Sequence, residues 1–225
     1  MNINSDLGEG AGQDEEILPR IDSANVCCAA HAGSIRETAA TVRRCQELGV
    51  EVAAHPGFDD RENFGRVEYR LPLPELEGLI RFQLGALAAL TKLGYVKAHG
   101  ALYHVCQADD DAAEVLVRVS AEFGLGVMGQ PGYGILAVCQ KLGVKGYREG
   151  FADRAYLANG LLAPRSQPGS VLEPDAAAEQ ALRDIRSGKY DSICLHGDSP
   201  GAPATAWRIR AAITEAGIET GPLRR

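Results

Sequence analysis

Short β-rich runs alternate with amphipathic stretches along almost the whole chain. Residues 2–5, 23–28, 50–54, 95–98, 125–128, 144–149 and 191–195 read as strands, being short, apolar and bounded by turn residues. Helical periodicity occupies residues 37–48, with Thr38, Val42, Cys45 and Leu48 on one stripe and Gly49 as its stop. A second helix starts at Pro74 and faces inward through Leu76, Leu79, Ile80, Gln83, Leu84 and Leu87. Further helices are predicted over 109–123, 133–142, 173–186 and 204–216. A polar loop at 56–72 is long enough to suggest a functional role.

Strict alternation of strand and helix predicts a parallel sheet covered by helices, with right-handed connections. Seven strands and no clear eighth point to a single βα-barrel domain over residues 1–225, seven-stranded and irregular. An open doubly wound sheet is the structural alternative.

Composition fits this picture: 225 residues, 45% hydrophobic and 24% charged, ordinary for a globular chain with a core. The net charge of −7 argues against nucleic acid and anionic membranes as partners. The acidic N-terminus does not resemble a signal peptide, and the longest apolar run is far too short to span a bilayer. The six cysteines include an adjacent pair, Cys27 and Cys28, and no CxxC, so they read as reduced thiols of a cytoplasmic protein.

The polar residues are concentrated where strands end. Asp6 and Glu9 follow the first strand, His31 the second, His55 the third and His99 the fourth. Glu149 ends the sixth strand, with Asp153 just beyond, and His196 and Asp198 close the seventh. In βα folds catalytic groups gather at the carboxyl ends of strands. One such histidine would usually be a structural residue. Four of the five histidines in these positions point to a shared active site. No P-loop, HExxH or GxSxG is present. Gly124, Gly126 and Gly129 spell GxGxxG, but they follow a helix and enter a strand, the wrong context for a dinucleotide.

Taken together, several segments resemble the LamB/YcsF family. They are Asn4-Ser5-Asp6-Leu7-Gly8-Glu9, Ser23-Ala24-Asn25, His31-Ala32-Gly33, Ala54-His55-Pro56, Phe64-Gly65-Arg66, Lys97 with His99-Gly100-Ala101-Leu102-Tyr103, Phe151-Ala152-Asp153-Arg154-Ala155-Tyr156, and His196-Gly197-Asp198. The resemblance implies a barrel related to the glycoside hydrolase/deacetylase barrels. It also implies ATP-driven cleavage of 5-oxoproline (pyroglutamate) to glutamate, with two partner subunits, B and C. The chain departs from the family pattern at Asn2, usually Asp, and at Ala29 and Ala30, usually Gly-Phe. It also departs at Ser34, usually an acid, at Ala98, usually Pro, and at His104, usually Asn.

Opening a lactam needs carbonyl activation, a water nucleophile and a proton for the departing nitrogen. ATP, with magnesium, can supply activation by phosphorylating the amide oxygen. Asp6 or Glu9 would then act as base and His55 or His99 as acid, with His31, His196 and Asp198 completing the catalytic set. Arg66, Lys97, Asp153 and Arg154 are the substrate-binding candidates; the cations among them suit phosphate or carboxylate oxygens. Two alternatives stay open. Asp6, His31, His55 and His99 could ligate a divalent metal in an ATP-independent amide hydrolase or deacetylase. Or the chain could bind substrate without catalysing anything. The loop at 56–72 is expected to fold over the pocket and bring Arg66 to an anionic ligand.

Overall fold

The computed structural model describes residues 1–158, 160–199 and 201–223. Its strands are β1 (Asn2–Leu7), β2 (Ser23–Cys27), β3 (Glu51–His55), β4 (Tyr95–Val96), β5 (Gly126–Gly129), β6 (Gly146–Phe151) and β7 (Ser192–His196). They close in sequence order into a parallel seven-stranded barrel, β7 pairing back onto β1 with Asp6 opposite His196. The open-sheet alternative is thereby excluded.

The helices are α1 (Asp14–Ile17), α2 (Ile35–Leu48), α3 (Leu73–Ala88), α4 (Gly100–Ala108), α5 (Asp110–Glu122), α6 (Gly134–Leu142), α7 (Pro174–Ser187) and α8 (Ala202–Glu215), with a 3₁₀ turn at Leu18–Arg20. The stripe of α2 buries Thr38, Thr41, Val42 and Cys45, whereas Leu48, expected on it, is exposed in the last turn. Gly49 ends the helix in the left-handed conformation, as its sequence position predicts.

Sequence periodicity passes directly from the fourth strand to a helix at Asp109, and the structure corrects this by inserting α4. That helix is short and opens on a glycine, so its pattern is weak, yet it buries Ala101, Leu102, Tyr103 and Cys106. Asp109 divides it from α5 and caps the latter, accepting from the backbone N–H groups of Asp111 and Ala112.

Along β1 the side chains alternate. Ile3 and Leu7 pack into the large core under the helices. Asn2, Asn4 and Asp6 share the other face, where they join a column of hydrogen bonds inside the barrel. At its floor Asn2 accepts from Ser23 and Ser192 and donates to the Gly221 carbonyl. Above it Asn4 donates to Ser192 (2.7 Å) and accepts from Asn25 (2.7 Å), whose Oδ1 takes the Tyr95 hydroxyl (2.8 Å). Asn25 also donates to Asp6 (2.7 Å), linking the column to the carboxyl mouth. All six cysteines are free and buried. Among the described residues no helix is long and apolar enough to cross a membrane.

Candidate functional site

The carboxyl ends of the strands bring Asp6, Glu9, His31, His55, Lys97, His99 and His196 to one mouth of the barrel. A cleft of about 240 Å³ opens there. Asp6, Glu9, His55, Lys97, His99, His196 and Asp198 line it, whereas His31 and Asp153 stand behind its wall.

Lys97 is the buried cation of the centre. Its Nζ lies 2.9 Å from Asp6 Oδ1, 2.9 Å from Glu149 Oε1 and 3.0 Å from Cys194 Sγ. Burial disfavours its charge, but Asp6, Cys194 and Glu149 outweigh that and hold the ammonium well above its ordinary pKa. Burial also opposes ionisation of Asp6, yet His55 and Lys97 keep its carboxyl well below the usual range. For Glu149 burial wins over the Lys97 charge and its pKa is raised.

Glu9 presents one oxygen, Oε1, to three imidazoles: His99 Nδ1 at 3.1 Å, His31 Nε2 at 3.2 Å and His55 Nε2 at 3.7 Å. Burial opposes its ionisation, but the hydrogen bond from His31 and the surrounding imidazoles hold it below the normal carboxylate range. His55 Nδ1 lies 2.7 Å from the Lys97 carbonyl, an acceptor only, so this nitrogen carries the ring proton and Nε2 faces the cluster. Burial lowers the His55 pKa to about 3, leaving the ring neutral at physiological pH. His99 Nε2 likewise donates to the Phe64 carbonyl at 2.8 Å, which turns Nδ1 toward His55 Nε2, 3.1 Å away. His31 and His99 stack face to face, centroids 3.7 Å apart and planes 6° from parallel.

The loop between β3 and α3 makes this packing possible. Gln83 of α3 grips its start, bonding both the N–H and the carbonyl of Gly57. Further along, Phe64 and Gly65 both adopt positive φ. A side chain at Gly65 would sit 2.7 Å from His31 Cβ, so only glycine lets the backbone pass over the stacked rings. The loop covers the cluster and places Arg66 on the cleft wall, as its length and position predict.

A second arrangement faces the same cleft. His196 Nδ1 lies 3.0 and 3.2 Å from the two oxygens of Asp153, which fixes that nitrogen as the donor and leaves Nε2 for the cleft. Asp153, expected to touch substrate, is instead the group that orients His196. Burial works against its charge, but the adjacent imidazole holds its pKa down. Asp198, expected among the catalytic groups, accepts from Arg66 and Arg165 at the mouth. Arg154 lines the cleft but spends its guanidinium on the carbonyls of Ser170 (3.2 Å) and Ala163 (2.5 Å), bracing the loop that follows β6.

Sequence reasoning missed Arg165, which lies in that loop and carries no periodic signal. It noted Glu149 only as a strand end. The useful signal was charge in strand context: Lys97 and Glu149 both lie on barrel segments that leave them no solvent.

The departures from the family pattern are mostly local. Asn2 lies at the barrel floor, far from the chemistry. Ser34 is the N-cap of α2, accepting from the Glu37 N–H, a task an acid at this position would also perform. Ala29 adopts φ 61°, a conformation suited to the glycine the family usually carries. Ala98 and His104 line the cleft itself.

The family model described as the LamB/YcsF family matches residues 1–225. A protein of Neisseria meningitidis serogroup C (strain 053442), named as the A subunit of 5-oxoprolinase, is 40% identical, covering 97% of this chain and 98% of its own. The crystal structure of a lactam utilization protein from Thermus thermophilus superposes with a TM-score of 0.92 at 37% identity, covering 99% of each chain. A family 4 carbohydrate esterase from Streptomyces lividans shares the fold at a TM-score of 0.54 and 13% identity, covering 98% of this chain and 91% of that one.

Proposed function

The chain belongs to the LamB/YcsF family, and from that premise we propose that it is the A subunit of a 5-oxoprolinase, opening 5-oxoproline to glutamate at the expense of ATP. The observation that carries this reading is the Asp153–His196 pair, which presents one free imidazole nitrogen to a cleft sized for a small ring. At about 240 Å³ the cleft falls below the roughly 300–1,000 Å³ of drug-sized ligand sites. A five-membered lactam suits it better than a nucleotide, and ATP is assigned, with magnesium, to a site completed by partner subunits B and C. The free, buried cysteines fit a cytoplasmic setting.

In this mechanism the γ-phosphoryl group of ATP passes to the lactam oxygen and ADP departs. His196 Nε2 takes a proton from water as the water oxygen bonds to the ring carbon. The carbon–nitrogen bond then breaks as the proton returns to the nitrogen, leaving the new carboxyl group as an acyl phosphate, and a second water hydrolyses this to glutamate and inorganic phosphate. A histidine oriented by a carboxylate serves as base and then as acid in the same way in acyl transfer. His55 does not suit the acid role proposed from sequence, because it is neutral at physiological pH and its one proton is committed to the Lys97 carbonyl. Asp6 and Glu9, both held strongly acidic, are weak bases and serve instead to fix the charge of the site. Arg66 and Arg165, steadied by Asp198, supply positive charge at the mouth for the substrate carboxylate or the phosphate.

The test is release of glutamate from 5-oxoproline with ATP and both partner subunits. The isolated chain should release none, and His196→Gln in the full complex should lower the rate at least about a hundredfold, as for a lost acid–base group. Full activity of His196→Gln, or ATP-independent cleavage by the chain alone, would overturn the reading.

A further inference from the structure

Three cleft-lining atoms meet at the mouth with no hydrogen atom that serves them all: His55 Nε2, His99 Nδ1 and Glu9 Oε1. Main-chain carbonyls fix both rings so that these nitrogens turn inward. With each ring neutral, two nitrogen lone pairs face each other at 3.1 Å, and the His99 nitrogen also faces an anionic oxygen at 3.1 Å. A proton on His99 Nδ1 could be shared between its two 3.1 Å contacts, but it leaves the His55 nitrogen facing the Glu9 oxygen. A cation could relieve all three.

The spacing decides between them. Nitrogen and oxygen ligands bound about 2.0–2.1 Å from a tetrahedral ion lie about 3.3–3.4 Å apart. The three edges here are 3.1, 3.1 and 3.7 Å, averaging 3.3 Å. Ring orientation fits too. The His55 and His99 planes are perpendicular, so an ion can lie in both. His31 is excluded as a third imidazole ligand, because its ring is stacked parallel to His99 and no ion lies in both planes. Its place is behind Glu9, to which Nε2 donates at 3.2 Å. That is the outer-shell contact which orients a ligating carboxylate.

We propose that His55, His99 and Glu9 form a three-ligand site for a divalent first-row transition cation, zinc foremost, with its fourth position open on the cleft. Two imidazoles and one carboxylate with an open position are a recurrent donor set for zinc, whereas magnesium prefers oxygen ligands. Asp6 Oδ2, 3.5 Å from His55 Nε2, adds negative charge beside the ion. The inference rests on the geometry of the cluster and not on the lactam reading, so the two can fail separately.

The test uses the full chain, freed of metal by a chelator and titrated with cobalt(II) and with zinc(II). One equivalent should bind, cobalt(II) should develop visible ligand-field absorption, and zinc(II) should displace it. His55→Gln and His99→Gln should each weaken binding more than about a hundredfold, and His31→Gln by only about tenfold, as outer-shell losses do. Circular dichroism of each variant checks that it folds. Metal content of the wild-type chain, purified from zinc-supplemented medium without a chelator, gives a readout independent of the variants. No saturable cobalt(II) absorption together with no retained metal would overturn the site and leave a shared proton in its place. Equal losses in all three histidine variants would overturn the ligand assignment.

Discussion

Replacing Lys97 with methionine tests the charge balance of the barrel mouth. The change keeps the length of the side chain and removes the ammonium that lies between Asp6 and Glu149, each 2.9 Å from Nζ. At an effective dielectric of about 20 each contact represents about 6 kcal/mol of gross attraction. Most of that is offset by the cost of desolvating the ammonium, which the variant no longer incurs. What remains is the penalty of two buried carboxylates left unpaired, typically about 3–5 kcal/mol of stability near neutral pH. The penalty must depend on pH. In the wild type, Asp6 has a depressed folded pKa, so its contribution is present above its unfolded pKa and is lost as pH falls through the folded value. In the variant, burial and mutual repulsion raise the folded pKa values of Asp6 and Glu149. Their stability contribution is then fully present below the unfolded pKa of about 4 and is lost as pH rises through the folded values. The gap between the two proteins should therefore widen steadily from about pH 4 to about pH 8. Urea unfolding of both proteins, followed by circular dichroism across that range, measures it. A gap under about 1 kcal/mol, or one that does not change with pH, would refute the electrostatic account of this centre.

Two further outcomes follow from local geometry. Ala29→Gly should stabilise the chain by about 0.5–1 kcal/mol in the same unfolding assay, because relief of the positive φ exceeds the added chain entropy of glycine. Asp153→Asn should lower the 5-oxoprolinase rate of the full complex at least about tenfold with little change in KM, since it frees the His196 ring to adopt the wrong tautomer.

Much of the architecture was legible because it depends on local pattern. Strand–helix alternation and strand-end polarity located seven strands and the mouth they share. Helix α4 escaped because nine residues opening on glycine give little periodicity, and its stability comes from burying Leu102 and Tyr103. Site membership was legible from position alone, since a residue at the end of a parallel strand has only one place to go. Roles were not, because they depend on distances between segments far apart in the chain. Asp153 and Arg66 both read as substrate contacts from sequence, and only Arg66 lines the cleft. One stands behind a histidine and the other is engaged by Asp198. The tautomers of His55 and His99 are set by carbonyls 42 and 35 residues away, which no motif encodes.

The hydrogen-bonded column inside the barrel also constrains how this chain can evolve. Asn2, Ser23, Ser192, Asn4, Asn25 and Tyr95 each serve two or more neighbours, so a single replacement strands at least one buried donor or acceptor. A change in the lumen is therefore absorbed most easily when its hydrogen-bond partner changes with it. Asn2, where the family's opening motif usually carries an acid, illustrates this. Its amide donates to the Gly221 carbonyl, a bond that an ionised aspartate could not make. An aspartate at position 2 would therefore leave the Gly221 carbonyl without this donor, so one side chain of the barrel floor ties β1 to the segment that follows the last helix.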